Sequence, residues 1–416
     1  MKVIKGNIIF TPSKDEFKII ENGYIVLNKN KIVEVCNELP NKYSSYELID
    51  YKDKLIIPGM NDLHCHAPQI RNLGLAMDKE LLPWLNDYTF PEESKYQDIN
   101  YAEKMYSKFV NEIYKNGTTR VAAFATIHKE STKKLMDLFI NAGIGAYVGK
   151  VNMDINSCTT LCENTLDSIN DTIEIINQYC NKSSLLKPII TPRFVPSCSE
   201  DLLKALGELA IEYNLPVQSH LSENIEEVKL VKELHPDCNF YSQIYDKYKL
   251  FGDTPTLMAH CIHLTSEDIK LMSKKNLYAV HCPSSNANLS SGIMPLRKLL
   301  NNNVKVAFGS DISGGHNFSI FKTMVYAIEF SKLIWSHNKE YNFLSLSEAF
   351  YIATKGGGSF FGKVGSFEKG YEFDALVIDD ADLNSDNYTL LERLERFIYI
   401  GDDRHIYHRY VSGVLI

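Results

Sequence analysis

The chain has 416 residues, 44% hydrophobic and 23% charged, the composition of an ordinary globular protein with room for one large domain and a smaller one. Its 44 Lys and Arg against 52 Asp and Glu give a formal charge of −8, which argues against a broad nucleic-acid-binding face. The nine cysteines are odd in number and include no Cys-x-x-Cys pair, so free thiols in a reducing cytoplasm are expected rather than a disulfide framework. No apolar run is long enough for a bilayer, and Lys5 and Asn7 interrupt the opening stretch, which therefore has no signal-peptide core.

Residues 1–57 read as β structure, with a hairpin expected around Asn28-Lys29-Asn30 between residues 24–27 and 31–35. A short apolar strand over 54–57 is closed by Pro58-Gly59 and followed by Asn61-Asp62-Leu63-His64-Cys65-His66. On a strand, positions i and i+2 share a face, so both imidazoles can reach one ion from one side. From Pro58 onward, strands alternate with helices. Tyr101, Met105, Phe109 and Ile113 recur every four residues and predict a helix over 100–115, stopped by Gly117. Strands are predicted over 118–124, 145–151, 187–192, 216–220, 255–260, 277–281 and 304–311, with helices between most of them, such as 200–213 and 266–274. With the His64 strand the count is eight, which suggests an α/β fold with a (β/α)8 TIM-like barrel; an open doubly wound sheet is the alternative. After Phe367 the text is again β-like, over 374–379 and 407–416. The expectation is a small β-sandwich domain formed by both termini (1–57 and 371–416) beside a barrel over 58–370.

Metal-competent residues sit at the strand ends. His64 and His66 close the first barrel strand, His220 and His260 close two others, and Asp311 closes the last. In a barrel all C-terminal strand ends meet at one mouth. Three imidazoles and one carboxylate suit one divalent ion such as zinc, and iron accepts the same set. Glu223, three residues past His220, stands at a strand-to-helix junction where it could move protons; a solvated first-turn glutamate is the plainer reading. Arg193 and Phe194 end another strand, where they could hydrogen-bond and stack on a planar ring; a surface Arg paired with an acid and a core Phe are the alternatives. Gln69 offers an amide donor and acceptor, and Trp84 could cover the pocket, although packing is the commoner role for Trp. His281 and His316 are possible mouth residues. Lys150 could in principle be modified to bridge two metals, but the single-metal set is already complete.

The run Pro58-Gly59 through Asp62-Leu63-His64-Cys65-His66, with His220, His260 and Asp311 in that order, resembles the amidohydrolase superfamily, in its single-metal deaminase branch. His66-Ala67-Pro68-Gln69, Tyr88-Thr89-Phe90-Pro91 and Thr191-Pro192-Arg193-Phe194 are similar to the deaminases that act on guanine. The resemblance covers nearly the whole chain. It implies hydrolysis of guanine to xanthine and ammonia, with His64, His66, His220 and Asp311 on the metal and Glu223, His260 and Asp311 in catalysis. It implies substrate contacts from Gln69, Trp84, Arg193 and Phe194, and a homodimer; the charge, the free cysteines and the short apolar runs set the expectation of a cytoplasmic protein without nucleic-acid or membrane partners. A relative acting on another amino-heterocycle (a modified adenosine, a triazine or cytosine) is the nearest alternative, and a non-catalytic scaffold on the same fold is a further one.

Overall fold

The computed structural model describes residues 1–340, 342–383 and 387–416. The N-terminal β text becomes β1 (Lys2–Ser13), β2 (Glu16–Asn28), β3 (Lys31–Cys36) and β4 (Glu47–Pro58). The middle of the chain supplies β5 (Met60–His66), β6 (Thr118–Phe124), β7 (Gly145–Gly149), β8 (Val151–Asn152), β9 (Leu186–Pro188), β10 (Thr191–Pro192), β11 (Val217–Leu221), β12 (Thr256–His260), β13 (Leu277–His281) and β14 (Lys305–Phe308). The C-terminal part adds β15 (Ala375–Ile378), β16 (Ile406–Val411) and β17 (Val414–Leu415). All eight predicted barrel strands are strands here, with boundaries shifted by a few residues.

The terminal strands form one seven-stranded sheet in the order β17-β16-β15-β4-β1-β2-β3. Both termini thus contribute strands to one hydrogen-bonded sheet. Register shifts at Gly6/Ile8 and Phe10/Ser13 disturb the long β1–β2 ladder, and such bulges bend and twist strands. One face gathers Ile4, Ile8, Phe10, Ile25 and Val377 into a core of its own. The other face places Ile9, Leu55, Ile57 and Leu376 in the large core shared with the rest of the molecule. A buried ion pair also ties the two parts. Arg120 of β6 donates from Nε to Asp374 (2.6 Å) and from Nη2 to Asp374 (3.0 Å) and Glu372 (2.9 Å). Gly145 leaves room for it: a Cβ there would lie 2.4 Å from Arg120 Cδ.

The central strands are parallel and fall into two four-stranded sheets, β5-β6-β7-β9 and β11-β12-β13-β14, with a two-stranded pair β10-β8 beside them. Backbone hydrogen bonds cross both gaps. On one side Ile190 donates to Pro216 O and Gln218 to Ile190 O, each at 2.9 Å. Pro188, Pro192 and Pro216 have no N–H to give, so the ladder there is sparse. On the other side Asp311 N donates to His64 O (2.8 Å) and His66 N to Ile312 O (2.9 Å). Ser310 N turns instead to the Asp62 carboxylate at 2.9 Å, a side chain standing in for a strand partner. Gly309 permits this close approach, since a Cβ there would meet His64 Cβ at 2.7 Å. Helices cover the sheets from outside. The predicted 100–115 helix is observed as Ile99–Lys115, burying Met105, Phe109 and Ile113. Among the described residues no helix is long and apolar enough to cross a membrane.

Candidate active site

Strand ends bring the predicted ligands together. His64 and His66 end β5, His220 lies in β11, His260 ends β12, and Asp311 follows β14. All five are buried. His64 Nε2 lies 3.2 Å and His66 Nε2 3.5 Å from Asp311 Oδ1, and His66 Nε2 lies 3.1 Å from His220 Nε2. His220 Nδ1 donates to the Arg193 carbonyl at 2.6 Å, which leaves its Nε2 lone pair facing the cluster. Burial holds His66 and His220 well below the usual imidazole range, so both are neutral. Burial would raise the Asp311 carboxyl, but His64, His260 and His66 outweigh it and hold the group well below the usual range. Unprotonated imidazoles converging on a carboxylate are the donor set a borderline divalent cation needs. The ligand atoms of His64, His220 and His260, and those of His64, His66 and Asp311, lie within 4.8 Å of one another, so the residues fit such an ion. Cys282 also approaches His260 and Asp311, and burial pushes its thiol well above the usual range.

The backbone is left-handed at two of these positions, His260 (φ 71°) and Asp311 (φ 48°). Such conformations are uncommon outside glycine and cluster at functional sites. Asp62, which the sequence reading left without a role, holds the strand carrying the histidine pair to the Asp311 loop. It accepts from Ser310 Oγ (2.5 Å), Ser310 N (2.9 Å) and His64 N (3.3 Å), and burial raises its carboxyl to about 7.

Glu223 faces the cluster from the junction after β11. Its Oε2 is 3.4 Å from His260 Nε2, and Ser291 Oγ donates to its Oε1 at 3.4 Å. Burial raises its carboxyl to about 7, against the opposing pull of His260. The plainer reading of a solvated first-turn acid does not hold: Glu223 is 5% exposed, and it is Glu227 that joins Asn224 in the capping box of the next helix. Burial works against the charged form of His260, yet Glu223 and Asp311 together hold it above its usual value. Asn286 Oδ1 accepts from His260 Nδ1 (2.9 Å) and fixes the ring.

The same cavity has a second polar wall. Arg193 is 3% exposed, not a surface residue, and donates to Glu93 Oε2 from Nη1 (2.7 Å) and to Oε1 from Nη2 (3.2 Å). Gln69 Nε2 donates to Glu93 Oε1 (2.9 Å), while Gln69 Oε1 accepts from Ser313 N (3.0 Å). The Phe90 ring lies 5.1 Å from the guanidinium carbon. Glu93 escaped the sequence reading; in the Glu92-Glu93 pair after Pro91 it looks like an ordinary acid in a helix's first turn. Trp84 and Phe194 line the cavity beside Arg193, with Trp84 2% exposed and donating to Leu75 O at 3.3 Å. Trp84 is thus packed and lines the cavity.

The remaining candidates lie elsewhere. His281 is buried between β13 and the outer helices, where burial drives its imidazole down to about 3. His316 pairs with Asn288 and Tyr326. Lys150 Nζ is held by Glu163 Oε1 (2.5 Å) and Val151 O (3.1 Å), which accounts for the amine without a second metal.

Residues 55–416 match the model of the amidohydrolase family. The chain belongs to the amidohydrolase family. It is similar to guanine deaminase of Dictyostelium discoideum, 38% identical over 99% of this chain and 97% of that protein. It is also similar to guanine deaminase of Homo sapiens, 38% identical over 86% and 82% respectively. A crystal structure of guanine deaminase from C. acetobutylicum with guanine in its active site superposes with a TM-score of 0.99, at 59% identity, over 100% of this chain and 99% of that one.

Proposed function

We propose that this member of the amidohydrolase family is a guanine aminohydrolase, exchanging the C2 amino group of guanine for oxygen to give xanthine and ammonia. The observation that carries the reading is one cavity with two chemically different walls. Glu223, His260 and the histidine–Asp311 cluster form one, and Arg193 and Gln69, both bonded to Glu93, form the other. The guanine bound in the C. acetobutylicum relative supports the choice of ligand. A guanine edge carries both carbonyl acceptor and N–H donor, and Arg193 and Gln69 offer complementary groups. Phe194 and Trp84 supply apolar surface for a flat ring.

His64, His66, His220 and Asp311 would hold one divalent ion, zinc by preference and iron as the other fit, whose Lewis acidity makes hydroxide available from water near neutral pH. Glu223 takes a proton from the attacking water and sets it on ring N3, which eases addition at C2. The water oxygen bonds to C2, and the carbon becomes tetrahedral. Glu223 then passes the second water proton to the amino nitrogen, the C2–N bond breaks, and ammonia leaves. A carboxyl held near 7 by burial can both accept and return protons at neutral pH. His260, between Glu223 and Asp311, steadies charge on the incoming oxygen together with Asp311.

We read the two parallel sheets as one (β/α)8 barrel over 58–370, on the hydrogen bonds that bridge both gaps, with 1–57 and 371–416 as the smaller domain. The family resemblance supports a homodimer taking part in purine breakdown, and the unpaired cysteines support a cytoplasmic setting. The test of function is ammonia release from guanine, adenine, cytosine and modified adenosines. Guanine should be turned over in preference; no release from guanine overturns the substrate and leaves the fold standing.

A further inference from the structure

We propose that Glu93 is a positioning residue that sets the substrate specificity of this site, by fixing the direction in which Gln69 and Arg193 present their hydrogen-bonding groups. The inference rests on the guanine reading and deepens it.

Glu93 is 1% exposed and accepts three hydrogen bonds, two from Arg193 and one from Gln69. A buried carboxylate can only accept, so the group of Gln69 that meets it must be the NH2. The other end of Gln69 meets the Ser313 N–H, which can only donate. Both partners therefore select the same amide orientation. One Nε2 hydrogen and one Oε1 lone pair of Gln69 remain for a ligand, with their positions exchanged if the amide flips. Ser313 lies two residues past Asp311, so this lock also ties the edge-reading wall to the loop that carries the carboxylate of the cluster.

The same carboxylate determines what Arg193 can do. Its Nη1 and Nη2 each spend a hydrogen on Glu93, and Phe90 lies against the guanidinium. The planar group is thereby fixed in orientation, with its charge balanced by Glu93. A site whose donors and acceptors are fixed before binding discriminates strongly against ligands that mismatch them, because buried groups are then left unpaired.

Glu93→Gln is the decisive change because it is nearly isosteric. If the new amide turns its oxygen to Arg193, its NH2 faces the NH2 of Gln69. Gln69 can escape only by flipping, which sets its own NH2 against the Ser313 N–H. If the new amide turns the other way, its NH2 faces Arg193. No orientation satisfies all three partners. With guanine, Glu93→Gln should raise KM by roughly 10- to 100-fold while kcat moves less than about threefold, the pattern of lost ground-state and transition-state binding alike. Metal content should stay near that of the wild type, while the unfolding temperature should fall because Arg193 is left buried without its counter-charge. In an Arg193→Ala, Gln69→Ala background the same change should add little, since Glu93 acts only through those two side chains. Glu93→Asp keeps the charge but cannot reach both partners, and should also raise KM; it serves if Glu93→Gln does not accumulate as folded protein. Wild-type KM in either variant, or an undiminished effect of Glu93→Gln in the doubly truncated background, overturns the proposal. Absence of guanine turnover by the wild type overturns the substrate reading itself, and so the two failures are distinct.

Discussion

Arg193 and Glu93, one hundred residues apart in the chain, meet as a bidentate ion pair with both side chains buried at the edge of the candidate active site. The pair converts an arginine that would otherwise reorient into a fixed donor. Arg193→Ala removes that donor and leaves Glu93 as an uncompensated buried charge, the costly way to break such a pair. We expect a KM for guanine raised by about two orders of magnitude, since a hydrogen bond from a charged group is worth about 1.5–3 kcal/mol and each 1.4 kcal/mol is about tenfold. Steady-state kinetics checks this. Unchanged kinetics would return Arg193 to a purely structural role.

Glu223→Gln keeps the size and nearly the shape of the side chain and removes its capacity to carry protons. The loss of a positioned acid–base group lowers turnover by roughly 10²- to 10⁴-fold. Metal content should remain, because Glu223 lies outside the His64, His66, His220 and Asp311 set. A fully active variant would take Glu223 out of the mechanism.

Much of this site was legible in the chain itself, for identifiable reasons. The histidines and Asp311 follow apolar strand text, so their position at strand ends can be read locally. The helix at Ile99–Lys115 likewise declares itself by its four-residue repeat. What escaped depends on distant pairing. Glu93 carries no local mark that separates it from Glu92, and only the fold sets it against Arg193. The single terminal sheet depends on β4 and β15 lying side by side, pairing Ile57 with Leu376, and one strand's text does not say which neighbour it will take. The sparse ladder at the gap near Ile190 could have been anticipated from Pro188, Pro192 and Pro216.

His220→Ala deletes a donor whose ring is already oriented by the Arg193 carbonyl. Outer partners that fix a ligating ring belong to the metal site as much as the ring does. The variant should bind substoichiometric divalent metal by elemental analysis and lose guanine turnover. Chelation of the wild type should lower its unfolding temperature, since an ion bound to the native state alone stabilises it by mass action. Metal content equal to that of the wild type would remove His220 from the ligand set.

Arg120→Met probes the join between the terminal sheet and the central strands. Arg120 makes three short hydrogen bonds to Asp374 and Glu372, and Asp374 also accepts from Ser412 N at 2.7 Å. Methionine fills much of the volume but leaves the Asp374 carboxylate buried without its cation. Removing one partner of a buried pair typically costs about 3–5 kcal/mol, well above the worth of a surface salt bridge. The variant should therefore unfold at clearly lower denaturant or temperature. Arg120 belongs to β6 and its hydrogen-bond partners, Asp374 and Glu372, do not line the cavity, so kcat/KM for guanine under conditions where the variant is folded should match the wild type. A matched loss of stability in Asp374→Asn, and little further loss on combining the two, is expected if the cost lies in the pair itself.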